Sequence, residues 1–185
     1  MSAPRIAVLL TDLRDTPAHR DALALAEAAA AGGRCVDLVI GSPHWGSLQG
    51  ALRPVHVPGM GLVGLNRKHP VGMTVTLARY LAERRPKLLV GATSVAGIVA
   101  VGAAALSRAD TQVVTILPAS EPADALRIPG WLRRIAVPRM AAVLCVGRDP
   151  TLRPAEYRRL SQDRMTMVDG TIDGLLAHCL PFIGK

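Results

Sequence analysis

RIAVLLTDLRDTPAHRDALALAEAAAAGGRCVDLVIGS, residues 5–42, is the stretch that decides the fold. Ile6 to Leu10 is a short apolar run rich in branched residues, as a strand buried on both faces requires. Asp15 or Thr16 can cap the helix that follows, and Pro17 suits a first turn, where no backbone donor is needed. Leu23, Ala26 and Ala30 recur at helical spacing, and Leu25 and Ala29 widen the apolar stripe. Gly32 and Gly33 stop the helix, because glycine enters the left-handed region without a steric penalty. Cys35 to Ile40 is a second apolar run. A strand, a helix and a strand in so short a span make a right-handed crossover onto a parallel sheet.

The rest of the chain repeats this unit. Residues 42–51 read as a loop. Val55 to Val57 reads as a short strand between Pro54 and Pro58, near a sheet edge. Gly59 to Gly72, with four glycines and Asn66, Arg67, Lys68 and His69, reads as a mobile basic loop. Met73 to Arg85 is a helix with Val75, Leu77, Ala78 and Leu81 on its apolar side, ended by Pro86. Leu88 to Val90 is a strand, and Ser94 caps a helix of small residues to Leu106. Gln112 to Ile116 is the next strand, followed by a loop from Pro118 to Pro129. Trp131 to Met140 is a basic amphipathic helix shortened or kinked by Pro138. Ala142 to Val146 and Met165 to Val168 are strands. Pro154 to Leu160 and Ile172 to Leu180 are helices. The alternation predicts one doubly wound α/β domain over residues 1–185, with a mainly parallel, Rossmann-like sheet.

Composition bounds the function. The chain has 185 residues, of which 50% are hydrophobic and 19% charged, so it is globular and large enough for a substantial core. Aromatic residues are only 3%, so that core consists of Ala, Val, Leu and Ile. The net charge of +8 and pI of about 10.4 invite anionic partners. The arginines are scattered, with no basic stripe interleaved with aromatics, which argues against a specific nucleic-acid role. The three cysteines, Cys35, Cys145 and Cys179, form no CxxC pair; buried free thiols in a reducing cytoplasm are the simplest account. The N-terminus lacks the apolar core of a signal peptide, and no run of about 18 apolar residues can span a bilayer. A cytoplasmic protein is expected.

The side chains that carry chemistry are sparse. His44, His56 and His69 lack metal-ligand spacing, and no metal or cofactor is expected. There is no G-x-S-x-G elbow and no Walker loop. Asp12 with Asp15 resembles a carboxylate pair, although helix capping explains it more simply. Thr93 and Ser94, at a helix start, can bind a phosphate or cap the helix.

The series of motifs resembles the N-terminal, acceptor-side domain of a GT-B glycosyltransferase of family four. The carriers are PRIAVLLTDL at 4–13, ALALAEAAAAGGRCVDLVIGS at 22–42, LARYLAERRPKLLVGAT at 77–93, LRRIAVPRMAAVLCVGRD at 132–149 and RMTMVDGTID at 164–173. They follow the family's order along nearly the whole chain. In that family a second domain holds the nucleotide-sugar, and this chain stops about where that domain begins. The resemblance therefore implies half an enzyme, of hexosyltransferase class, active only with a partner that supplies the donor domain. The first loop departs from the pattern. The family's is glycine-rich, whereas Asp12, Leu13, Arg14, Asp15, Thr16 and Pro17 include no glycine; Arg14, His19 and Arg20 can supply charge instead. Where the family places polar catalytic residues, this chain has Ala92, Thr93, Ser94 and Val95, then Ile116, Leu117, Pro118 and Ala119. No catalytic residue is assigned.

Any ligand site is expected at the C-terminal ends of the strands, lined by Asp12, Arg14, Thr16, Thr93, Ser94 and Pro118. Two classes of function follow: an acceptor-binding half of a transferase, truncated or degenerate, or a non-catalytic binding or scaffold protein on the same fold. A second surface comprises Trp131, Arg133 and Arg134, with Arg67 and Lys68. It suits an anionic membrane, peripherally at the inner face, or the docking of a donor-domain subunit or a second copy. The plainer use of Trp131, Leu132 and Ile135 is to pack their helix against the sheet.

Overall fold

The computed structural model describes residues 5–13, 15–42, 58–118, 134–147, 164–169 and 171–183. Its strands are β1 (Arg5–Leu10), β2 (Cys35–Ile40), β3 (Met60–Gly64), β4 (Leu88–Gly91), β5 (Gln112–Pro118), β6 (Ala142–Val146) and β7 (Met165–Val168). Four helices are described from end to end: α1 (Pro17–Ala31), α2 (Pro70–Arg84), α3 (Ser94–Ser107) and α4 (Ile172–Cys179). The strands form one sheet in the order β3-β2-β1-β4-β5-β6-β7, and every neighbouring pair is parallel. This is the doubly wound α/β sheet that the sequence predicts. The strand order reverses between β1 and β4, which opens a crevice at their C-terminal ends.

The period-two geometry of the strands sorts the core into two layers. Ala7, Leu9, Val39, Leu89, Val113, Val143 and Cys145 face α2 and α3, where Met73, Leu77, Leu81 and the small residues of α3 meet them. Ile6, Val8, Leu10, Val36, Leu38, Val90, Val114 and Leu144 face α1 and α4, against Ala22, Ala26, Leu175 and Cys179. With so few aromatics, the core fills by close approach. A Cβ on Gly91 would lie 2.6 Å from the Gly97 amide nitrogen, and one on Gly97 would overlap the Thr115 hydroxyl. The two glycines let α3 sit directly on β4 and β5.

Capping follows from the sequence. Thr16 Oγ1 accepts the His19 amide, and Pro17 occupies the first turn of α1. At its other end Gly33, at φ 78°, donates to Ala30, and the Arg34 amide donates to Ala29. This is the paired closure of a left-handed cap.

Several expectations are corrected. Residues 59–72 are not one loop: β3 occupies Met60–Gly64 and α2 already begins at Pro70. The glycines that suggested a loop serve an edge strand, where Gly61 leaves room for the Asp37 carboxylate; a Cβ there would stand 2.7 Å from Asp37 Oδ1. Val75, placed on the apolar side of α2, is 44% exposed, and Tyr80 is buried. The cap of α3 is Thr93, while Ser94 is its first helical residue and is buried. Pro118 ends β5 instead of opening a loop. Ile135 is half exposed; Ala136, Val137 and Met140 make the inward contacts of that segment, which tightens into a 3-10 turn at Val137–Arg139. The strand expected at 55–57, the helix expected at 154–160, and Trp131, Leu132 and Arg133 lie outside the described residues. Among the described residues no helix is long and apolar enough to cross a membrane.

Candidate functional site

The rim at the switch point is built from the residues that follow β1 and β4. After β1 come Thr11, Asp12 and Leu13, and then the cap of α1. The partly exposed Asp12 carboxylate lies 3.5 Å from Nδ1 of His19, whose imidazole is only 2% exposed. Arg20, one position further along α1, pairs with Asp15 at 2.9 Å in solvent. After β4, Ala92 is buried, Thr93 Oγ1 accepts the Ala96 amide at 3.2 Å, and Ser94 is buried at the head of α3. Pro118 stands at the end of β5, also buried.

The structure thus places Asp12, Thr16, Thr93 and Ser94 at the ends of the adjacent strands β1 and β4, with Pro118 one strand further on. Arg14 lies outside the described residues. Arg67 and Lys68 are exposed just past the C-terminal end of β3, where the Arg67 amide donates to Gly41, and Arg134 is exposed ahead of β6 at the other end of the sheet. Thr16 and Thr93 both spend an acceptor on capping and keep the hydroxyl hydrogen to donate to a ligand. The contact between His19 and Asp12 fixes the orientation of the imidazole and of the carboxylate at the rim. Backbone amides along the rim are largely committed to the sheet: Gly41 donates to Leu10, Ser42 to Thr11 and Ala92 to Leu9. A glycine-rich phosphate cradle would need such amides turned toward the ligand. Among the described residues, no group of three His, Cys, Asp or Glu side chains is placed to hold a metal ion.

A second polar cluster escaped the sequence reading. Asp37, at the centre of β2, receives two hydrogen bonds from Arg5 Nη1, at 2.9 and 2.8 Å, and one from the Tyr80 hydroxyl at 2.6 Å. The hydrogen bond to Asp37 raises the Arg5 pKa. Burial, reinforced by Asp37, raises that of Tyr80 far above a free phenol. Arg5 opens β1, so the cluster lies toward the end of the sheet away from the rim. Its signal was legible: an acid inside CVDLVI, a strand with two covered faces, requires buried partners. His19 likewise looked like a surface charge, although its place in the first turn of α1 points it at the strand end.

No protein-family model matches the sequence, and no curated protein resembles it in sequence. Solved structures match in fold. Anabaena Alr3699/HepE, in complex with UDP and glucose, aligns at 13% identity and a TM-score of 0.59, over 89% of this chain and 44% of that one. Its complex with UDP-glucose aligns equally well, over 43% of its length. UDP-GlcNAc 2-epimerase from Methanocaldococcus jannaschii aligns at 11% identity and a TM-score of 0.53, over 98% of this chain and 50% of that one. The chain spans about half the length of these proteins. The likeness is one of fold: a Rossmann-like domain that resembles one domain of the GT-B glycosyltransferase and epimerase folds.

Proposed function

We propose that this domain is the acceptor-side half of a GT-B-type sugar-transfer enzyme, working with a separate donor-binding domain and inactive without it. One observation carries the reading. The chain matches about half of two proteins whose structures or names involve UDP-sugars, and its switch-point rim carries a carboxylate and hydroxyl groups on a loop without the glycines of a phosphate cradle. Such a rim suits an uncharged hydroxyl acceptor better than a diphosphate. The partly exposed Asp12 carboxylate, held by the buried His19, would accept a hydrogen bond from that hydroxyl, while Thr16 and Thr93 would orient it.

The buried, apolar Ala92 and Pro118 favour a second reading, a non-catalytic binding or scaffold protein, because polar reacting groups are missing at both strand ends. Two measurements separate the readings. Calorimetry of the purified domain with UDP-glucose is expected to give a dissociation constant no better than roughly millimolar; tight binding would overturn the assignment of the donor to another domain. Sugar transfer by the complex that copurifies with the tagged domain should fall sharply in Asp12→Ala and be restored by the wild type. A complex that transfers nothing would favour the scaffold, and transfer undiminished in Asp12→Ala would remove Asp12 from the acceptor site.

A further inference from the structure

At the end of the sheet opposite the rim, the C-termini of α2 and α3 meet the starts of β4 and β5 around a recess of about 470 Å³. Arg85, Lys87 and Arg108 line it, with Asp110, Ser107 and Thr111. The hydroxyls are committed to the fold. Thr111 donates to the Pro86 carbonyl at 2.8 Å; Ser107 donates to Ala104 at 3.1 Å and accepts the Ala109 amide at 3.2 Å. Asp110 sits 3.6 Å from Lys87, both open to water, a contact weak enough for Lys87 to change partner. Arg85, exposed at the recess, makes a long hydrogen bond from Nε to the Ala82 carbonyl, at 3.4 Å.

The fold does not by itself account for these arginines. Both occupy the left-handed position that closes a helix, Arg85 at φ 48° and Arg108 at φ 52°. Glycine takes that conformation without a Cβ clash, and Gly33 does so after α1. Attraction to a helix C-terminus accounts for a cation at each site taken singly. It does not account for two strained arginines and a lysine lining one recess. The same helix ends disfavour an anion, so a ligand has to be held by side-chain charge, and three cations stand there against one carboxylate.

We propose that this recess binds a small polyvalent anion of the phosphate class, gripped by the guanidinium groups of Arg85 and Arg108 with Lys87 as a third contact. The guanidinium fork matches tetrahedral oxyanions, and the volume lies in the range of small-ligand pockets. The site is independent of the rim and of the sugar-transfer reading.

Titration of the full chain with pyrophosphate tests it, by calorimetry and by amide shifts, against sodium chloride at matched ionic strength. Saturable binding at roughly millimolar concentration or below is expected, with shifts at Arg85, Lys87 and Arg108. R85G/R108G should fold with an equal or higher Tm, because it relieves two left-handed positions, and should weaken pyrophosphate by about tenfold or more. R85Q/R108Q should weaken it similarly while keeping the backbone strain. A response identical to that of sodium chloride, or undiminished binding in both variants, would overturn the site. Flotation with vesicles of phosphatidylglycerol and phosphatidylcholine, without any response to pyrophosphate, would assign the recess to a lipid headgroup and overturn the free-anion proposal.

Discussion

Asp37 ties three elements together: its carboxylate is 6% exposed and is bonded to Arg5 of β1 and Tyr80 of α2. Removing one partner of a buried pair is costly because the other keeps its desolvated charge. Arg5 is 28% exposed and can recover water, so Asp37→Ala should fall at the lower end, about 3 kcal/mol by urea unfolding. Tyr80→Phe leaves the ion pair intact and should cost about 1.5 kcal/mol. Equal losses in the two variants would mean that the carboxylate carries no more than the hydroxyl. Titration of buried acids makes a second prediction. Burial pushes the Cys179 thiol from 9.0 up to about 12, and Tyr80 rises as well. In both, the folded state holds the proton more tightly. The Cys179 contribution is therefore complete below pH 9 and is lost as pH rises from 9 toward 12, whereas that of Tyr80 begins to fall only above pH 10. Stability should fall by up to about 1.4 kcal/mol per pH unit per group across that window. Urea midpoints that stay level from pH 8 to 11, or a Cys179→Ala variant with an unchanged slope, would contradict this.

At the scale of elements, α3 is the tightest fit. Gly97→Ala should raise intrinsic helix propensity by about 1 kcal/mol yet destabilise the protein overall, by about 1–3 kcal/mol, because the new methyl meets the Thr115 hydroxyl. Adding Thr115→Ala removes the obstructing atoms and should recover part of the loss in thermal unfolding; strict additivity of the two changes would refute the contact. Helix α1 was readable almost completely: cap, proline, apolar stripe and terminal glycines all lie within one stretch of chain. Strand β3 was not. Its residues MGLVG carry two glycines, and what makes them a strand is pairing with β2 and the need to accommodate Asp37 from that neighbour. Val75 and Ile135 failed in the opposite way. Helical spacing marks the apolar positions, but which of them face inward depends on where the sheet lies.

For the whole molecule, the order β3-β2-β1-β4-β5-β6-β7 separates two ends with different chemistry. The rim between β1 and β4 holds Asp12, His19, Thr16 and Thr93; the far end holds Arg85, Lys87 and Arg108. An uncharged glycoside at high concentration should therefore perturb amides at residues 11–16 and 92–95 and leave 85–87 and 108 unmoved. Shifts at the basic recess alone would count against an acceptor site at the rim. The sequence by itself determined the parallel α/β architecture, its strand–helix alternation and most helix ends, because these depend on local periodicity and on proline and glycine geometry. Only the tertiary structure decided the strand order, the burial of His19 beside Asp12, the Arg5–Asp37–Tyr80 cluster and the convergence of cations between α2 and α3. Each of these joins residues from different elements, and a side chain's charge becomes a site only when packing sets its neighbours and its access to water.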